Sequence, residues 1–199
     1  MAKKRKTISV ILSDGSKLNL SEDEILIIKN ITKAGSCTYS FIREVVGEKR
    51  LRKLCNSGIL KKEKPYRIEL DGKIVNRHCY GLGDTGGKFA LEQGFCSQLQ
   101  GHNGYVHAEK MQKVVKELIV DKGIDIKDIY NEKEQKIIFK DKISKAKRDK
   151  VDFRVNDLAY KNSDNNWESV EITTKNYGKK LKKKHSNYAK VINANYTDI

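Results

Sequence analysis

The chain has 199 residues, of which 34% are charged and 38% hydrophobic, and its 41 Lys and Arg against 26 Asp and Glu give a formal charge of +15. That length suffices for one large domain or two small ones with a real core. No run approaches the roughly 18 apolar residues of a membrane span, and the opening MAKKRKT lacks the apolar core of a signal peptide, so a cytoplasmic location without a membrane partner is expected.

Both halves are basic: residues 1–100 carry 19 Lys and Arg against 11 acids, and the rest carry 22 against 15. Such a surface attracts polyanions by counterion release, which makes nucleic acid the leading partner; an anionic membrane surface and plain solubility are the alternatives. Cys37, Cys55, Cys79 and Cys96 lie far apart without a C-x-x-C pair. Reduced thiols are expected, and neither His78 beside Cys79 nor His102 after Cys96 has zinc-knuckle spacing.

In chain order, TISVILSDGSKLNL (7–20) reads as a β-hairpin about Asp14-Gly15. Ser21 and Glu24 have capping-box spacing and predict a helix over about 22–33, stopped near Gly35. Ser36 or Thr38 caps a second short helix, YSFIREVV, ended by Gly47; a third begins at Glu48 and ends at Gly58. Three short helices with tight turns predict a helix-turn-helix unit. ILKKEK, YRIEL, an Asp71-Gly72 turn and KIVNR then form a basic hairpin, or wing, before HCYGLG and a closing helix.

The order of three helices, SGIL entering a strand and YGLGDTGGKFALEQ after the wing resembles winged-helix DNA-binding domains. Leu51, Leu54 and Cys55 share a helix face while Lys49, Arg50, Arg52 and Lys53 surround them. Arg50 and Lys53 are expected to face the major groove or its phosphates, with Lys61, Lys62, Lys64 and Arg67 tracking the backbone from the wing. Each of these cations has the alternative of merely solvating its element.

GFCSQLQGHNG (94–104) reads as a linker, and Val106, Met111, Val114, Val115, Leu118 and Ile119 place a helix across YVHAEKMQKVVKELIV. His107 begins that helix as a packing or capping group or a functional one. Residues 124–149 suggest a short strand among charged turns, and NYGKKLKKKHSNYAKVINA reads as a very basic helix with Tyr177, Leu181, Tyr188 and Val191 inward. Its lysines, Lys180, Lys183 and Lys184 among them, are further backbone contacts.

Between these lies KVDFRVNDLAYKNSDNNWESVEITTK (150–175), two extended runs about a polar turn. Residues two apart in a strand share a face, so Glu171, Thr173 and Lys175 do. Pairing of VDFRV with VEITT brings Asp152 near Glu171, and two carboxylates supply the hard oxygens Mg²⁺ takes. The layout is similar to restriction-endonuclease-like nucleases, with an acid on a helix (Glu109 or Glu117), an Asp opening a hairpin and Glu-x-Lys on the next strand. Thr173 stands where their lysine would be, and Lys175 is two positions further on. The plain alternative is that Asp152 begins a strand and Glu171 pairs with a cation.

As a whole the chain resembles the replication-relaxation family of plasmid and mobile-element proteins over residues 21–192, through SGIL, YGLGDTGGKFALEQG, VHAEKMQKVVKEL, KVDFRV and VEITTKNYGKKLKKKHSNYAKVI. The resemblance implies an α+β chain: an N-terminal winged helix-turn-helix domain (1–93), a linker (94–104) and a small α/β restriction-endonuclease-like domain (105–199). It implies a role in plasmid replication, mobilisation or their regulation, with Asp152 and Glu171 at the family's acidic positions and His107, Lys183 and Tyr188 at further matching ones. Lys150-Val151 replaces the family's proline, and Thr173 the nuclease lysine.

The sequence thus predicts a double-stranded DNA-binding accessory or regulatory protein whose nuclease-like domain is non-catalytic. DNA binding then needs no cofactor, and a homodimer or a replication or mobilisation protein is a further partner. The rival is a Mg²⁺-dependent endonuclease or nickase with Asp152, Glu171 and Lys175 as catalytic residues and the first two as metal ligands.

Overall fold

A computed structural model describes residues 7–70, 72–101, 104–174 and 177–199. The chain is a mixed α+β fold. Strands β1 (Ile8–Ile11) and β2 (Lys17–Leu20) form the opening hairpin. Helix α1 (Glu22–Ala34) follows with both capping-box bonds, from Glu24 N–H to the Ser21 hydroxyl and from Ser21 N–H to Glu24. It ends at Gly35, whose φ of 82° leaves the helical region.

After β3 (Cys37–Thr38), helix α2 (Tyr39–Arg43) is capped by the Thr38 hydroxyl, and α3 (Glu48–Asn56) buries Leu51 and Leu54. Strand β4 (Leu60–Lys62) leads into a two-stranded arm, β5 (Tyr66–Leu70) and β6 (Lys73–Arg77), before β7 (Cys79–Leu82). β7 lies between β3 and β4, antiparallel to both. Helix α4 (Asp84–Glu92) closes this half. The GLGDTGG run reflects contact: a Cβ on Gly83 would strike the Gly58 carbonyl and one on Gly86 the Ile59 carbonyl, so α4 sits against the turn entering β4.

Helix α5 (Tyr105–Lys116) runs on into a π-helical turn, Glu117–Asp121. A 3₁₀ turn (Ile126–Asp128) enters β8 (Ile129–Asn131), and two helices not foreseen, α6 (Glu132–Ile138) and α7 (Lys140–Arg148), occupy most of the weakly patterned stretch. Then come β9 (Leu158–Lys161), β10 (Trp167–Glu171), α8 (Lys179–Ile192) and β11 (Ala194–Asp198). The sheet order is β11-β10-β9-β8, with β8, β9 and β10 antiparallel and β11 parallel to β10.

Residues 151–156, expected as a strand, are irregular. VDFRV alternates like a half-exposed strand, but the ladder forms on the continuous buried run Leu158-Ala159-Tyr160.

One apolar cluster runs from Val10 through Ile28, Leu54, Met111 and Leu118 to Ile172. Buried polar bonds cross the same region. Asn30 donates to the Gln112 carbonyl (2.8 Å), Gln112 bonds Thr38 through both amide atoms, and Lys33 meets Glu134 at 2.7 Å. Among the described residues no helix is long and apolar enough to cross a membrane.

Candidate nucleic-acid surface and buried acid site

The ladder of β9 and β10 sets the acid site. Leu158 pairs with Val170, and one step further Asp157 stands opposite Glu171, its N–H donating to Glu171 Oε2 at 3.1 Å. Asp157 Oδ2 accepts the Ile172 N–H (2.9 Å) and lies 2.9 Å from His107 Nε2, brought in by the first turn of α5. Tyr177 donates its hydroxyl to Glu171 Oε1 (2.7 Å). From α8, His185 Nδ1 lies 2.8 Å from Asn156 Oδ1 and 3.2 Å from Glu171 Oε2, while Asn156 Nδ2 donates to the Ser169 hydroxyl. An amide oxygen opposite Nδ1 makes that nitrogen the one bearing hydrogen.

The site is dry: Glu171 is 2% and His185 1% exposed. Burial, then repulsion from Asp157, raises the Glu171 carboxyl to about 8 against the opposing pull of the Tyr177 hydrogen bond. Burial, then the nearby Arg154 cation, lowers His185 to about 4. The Tyr177 hydroxyl is held well above its ordinary range by burial and by Glu171. Burial and Asp157 thus shift Glu171 towards its protonated form, and burial shifts His185 towards its neutral one. Among the described residues, His107 Nδ1 and His185 Nε2 are buried without hydrogen-bond partners.

Asp152, expected beside Glu171, is exposed instead; Lys184 binds its carboxylate at 2.9 Å and Asn187 its carbonyl. The acid that meets Glu171 is Asp157, five residues on, because the strand starts at Leu158 rather than at the alternating run from Val151. Lys175 lies outside the described residues. Thr173 is half-buried and hydrogen-bonded to the Ile199 carbonyl, and Lys110 of α5 brings its amine to the Thr173 carbonyl at 2.8 Å. Glu109 and Glu117 are spent on surface pairs with Lys113 and Lys122.

The donor set does not fit a magnesium ion. Both Glu171 oxygens already accept hydrogen bonds, Asp157 Oδ2 faces two nitrogen groups, and ligation would require a proton to leave Glu171. Among the described residues, no three of His, Cys, Asp and Glu are grouped as ligands for a metal.

Of the expected DNA contacts, Lys49, Arg52 and Lys53 are exposed on α3, and Lys61, Lys62, Lys64 and Arg67 are exposed along β4 and the arm. Arg52 lies 3.5 Å from Glu48. Arg50 is otherwise engaged: its guanidinium grips both oxygens of Glu24 and the Asn19 carbonyl. Glu24 is buried in the α1 capping box and needs that counter-charge, so Arg50 is a structural clamp rather than a groove-facing cation. On α8, Lys180 and Lys183 are exposed and Lys184 is tied to Asp152.

Asp157, Asn156 and His185 escaped the reading of the sequence. The polar pair Asn156-Asp157 directly before the apolar run LAY was the available signal. In comparisons with family models, curated proteins and solved structures, nothing matches this chain.

Proposed function

We propose that the chain is a double-stranded DNA-binding accessory or regulatory protein of a plasmid or mobile element. In this reading residues up to α4 form a winged helix, with α3 as recognition helix and the β5–β6 arm as wing. The second half is a restriction-endonuclease-like domain that does not cut. The observation that carries the proposal is the exposed cationic run of α3 and the arm: residues 48–77 hold ten Lys and Arg against four acids, and Lys49, Lys53, Lys61, Lys62, Lys64 and Arg67 all face solvent. The nuclease-like reading is supported by an Asp opening the β9–β10 hairpin, a Glu ending its second strand, and helices α5 and α8 bringing His107 and His185 to them.

Binding of a cognate duplex, measured by gel shift or anisotropy, tests this. Lys53→Ala and Lys61→Ala should each weaken binding and lower the slope of log K against log salt by about 1. Unchanged affinity and slope in both would reject the α3 surface. One rival, a Mg²⁺-dependent endonuclease, draws on the convergence of Asp157 and Glu171 but needs both acids to exchange their present hydrogen bonds for the metal. Supercoiled plasmid with Mg²⁺ or Mn²⁺ decides it, with Asp157→Ala and Glu171→Ala as controls: cutting by the wild type that both variants lose would establish the rival.

A further inference from the structure

The fold gathers charge in a second place, away from α3 and the arm in sequence. Residues 140–154 hold seven Lys and Arg against three acids, and residues 179–190 hold six Lys and no acid, so these segments carry two thirds of the formal +15. Helix α7 packs on α8, and the segment after α7 is bound to α8 by the Arg154 N–H to the Lys184 carbonyl (3.2 Å) and by the Lys184–Asp152 pair.

Between α6, α7 and that segment lies a groove of about 430 Å³, within the range of small-ligand sites, with Ile143, Phe153 and Val155 as its apolar surface. Four exposed cations line it, and three of them, Lys140, Lys147 and Arg154, are in no ion pair among the described residues. The acid in the groove, Glu132, is already paired with Lys136 at 2.6 Å, so it offers little repulsion. Phe153 is half-exposed, and its ring stacks on the buried Tyr188 at 6.0 Å and 30°, which fixes it as a platform.

We propose that this groove binds single-stranded nucleic acid. One unpaired base lies on Phe153 while Lys140, Lys147 and Arg154 take the flanking phosphates. An inorganic anion would have no use for the apolar surface, and a duplex offers phosphates but keeps its base faces stacked inside. A flat aromatic with cations around it is the combination that unpaired strands use.

The test uses the full chain and anisotropy with oligo-dT and oligo-rU of about 15 nucleotides, and a duplex of equal length. Replacing Lys140, Lys147 and Arg154 together by Gln should weaken oligomer binding at least tenfold and lower its salt slope by about 2. Phe153→Leu keeps the packing on Tyr188 but removes the stack; it should weaken oligomer binding roughly tenfold with the slope unchanged. Duplex binding should be unaffected by either change. Binding of dT or rU supports the site, and the preference between them identifies the strand it takes. Oligomer affinity unchanged in both variants, or duplex affinity falling as far as oligomer affinity, would overturn the assignment. Loss of oligomer binding in a protein that binds no duplex would reject the α3 reading while leaving this site standing.

Discussion

Glu171→Gln should stabilise the protein at alkaline pH and not at acid pH. The carboxyl titrates at about 8 in the folded chain against an ordinary 4.5. Between those values the unfolded chain has lost the proton and the folded chain keeps it. Unfolding then releases a proton, and stability falls as pH rises from about 4.5, levelling above about 8. At about 1.4 kcal/mol per unit the full cost is roughly 5 kcal/mol, an upper limit because Asp157 shares the titration. Glutamine keeps the size of the protonated acid and its acceptor for the Asp157 N–H, at the cost of about 1 kcal/mol for one remade hydrogen bond. The net expectation is a gain of about 2–4 kcal/mol at pH 8.5, or roughly 5–10 °C in Tm for a chain of this size, and a small loss near pH 5. Calorimetric melts of both proteins at the two pH values measure it. A Tm shift of the same sign and size at both would refute the buried-acid account. Millimolar Mg²⁺ that raised the wild-type Tm at pH 8.5, but not that of the variant, would show that the site takes a cation after all.

Three further outcomes follow from neighbouring contacts. His185, held down to about 4, stays neutral while the unfolded chain takes up a proton below about 6.5, so it costs stability as pH falls through that window, by roughly 3 kcal/mol at most; His185→Asn should remove this acid limb in urea titrations between pH 7 and 4. Arg50→Ala should lower stability by about 1–3 kcal/mol, since it strands the buried Glu24, yet leave duplex affinity of the folded protein intact; Lys53→Ala should do the reverse, and gel shifts beside melts separate them. Lys33→Met leaves Glu134 buried without its cation and should cost about 3–5 kcal/mol, most of it recovered in the double variant with Glu134→Gln, which keeps the acceptor for the Ser97 N–H; urea midpoints of the three variants test it.

Local rules read most elements in the first half. The Ser21–Glu24 box, the Thr38 cap, Gly58 with its φ of 70° and the basic arm are features whose cause lies within a few residues of their effect. The second half resisted for the opposite reason. Helices α6 and α7 carry so many Lys that their apolar face reduces to Phe139, Ile143 and Ala146, too sparse to announce a period. β11 exists because it pairs in parallel with β10 across the intervening α8, a long-range choice that no local pattern records. The acid site failed in the same way. Glu171 was visible, but its partner depended on where β9 begins, and a slip of five residues exchanged a surface acid for the buried one.

The polar contacts that cross the core bear on how the two proposed nucleic-acid surfaces work together. Asn30, Thr32, Lys33 and Thr38 belong to α1 and the start of α2. They are bonded to Gln112 of α5, Asn131 at the end of β8 and Glu134 of α6, all buried. Such bonds are costly to leave half-made, so they fix one arrangement where apolar packing alone would tolerate several. α1 also holds Arg50 of α3 through Glu24, and α6 leads directly into α7, whose Lys140 and Lys147 line the groove. The α3 cations and the groove are thus attached, through α1 and through α6, to elements that the same buried polar contacts hold together. A duplex with a single-stranded extension, engaged at both, would be held at a spacing set by the folded chain rather than by a flexible joint.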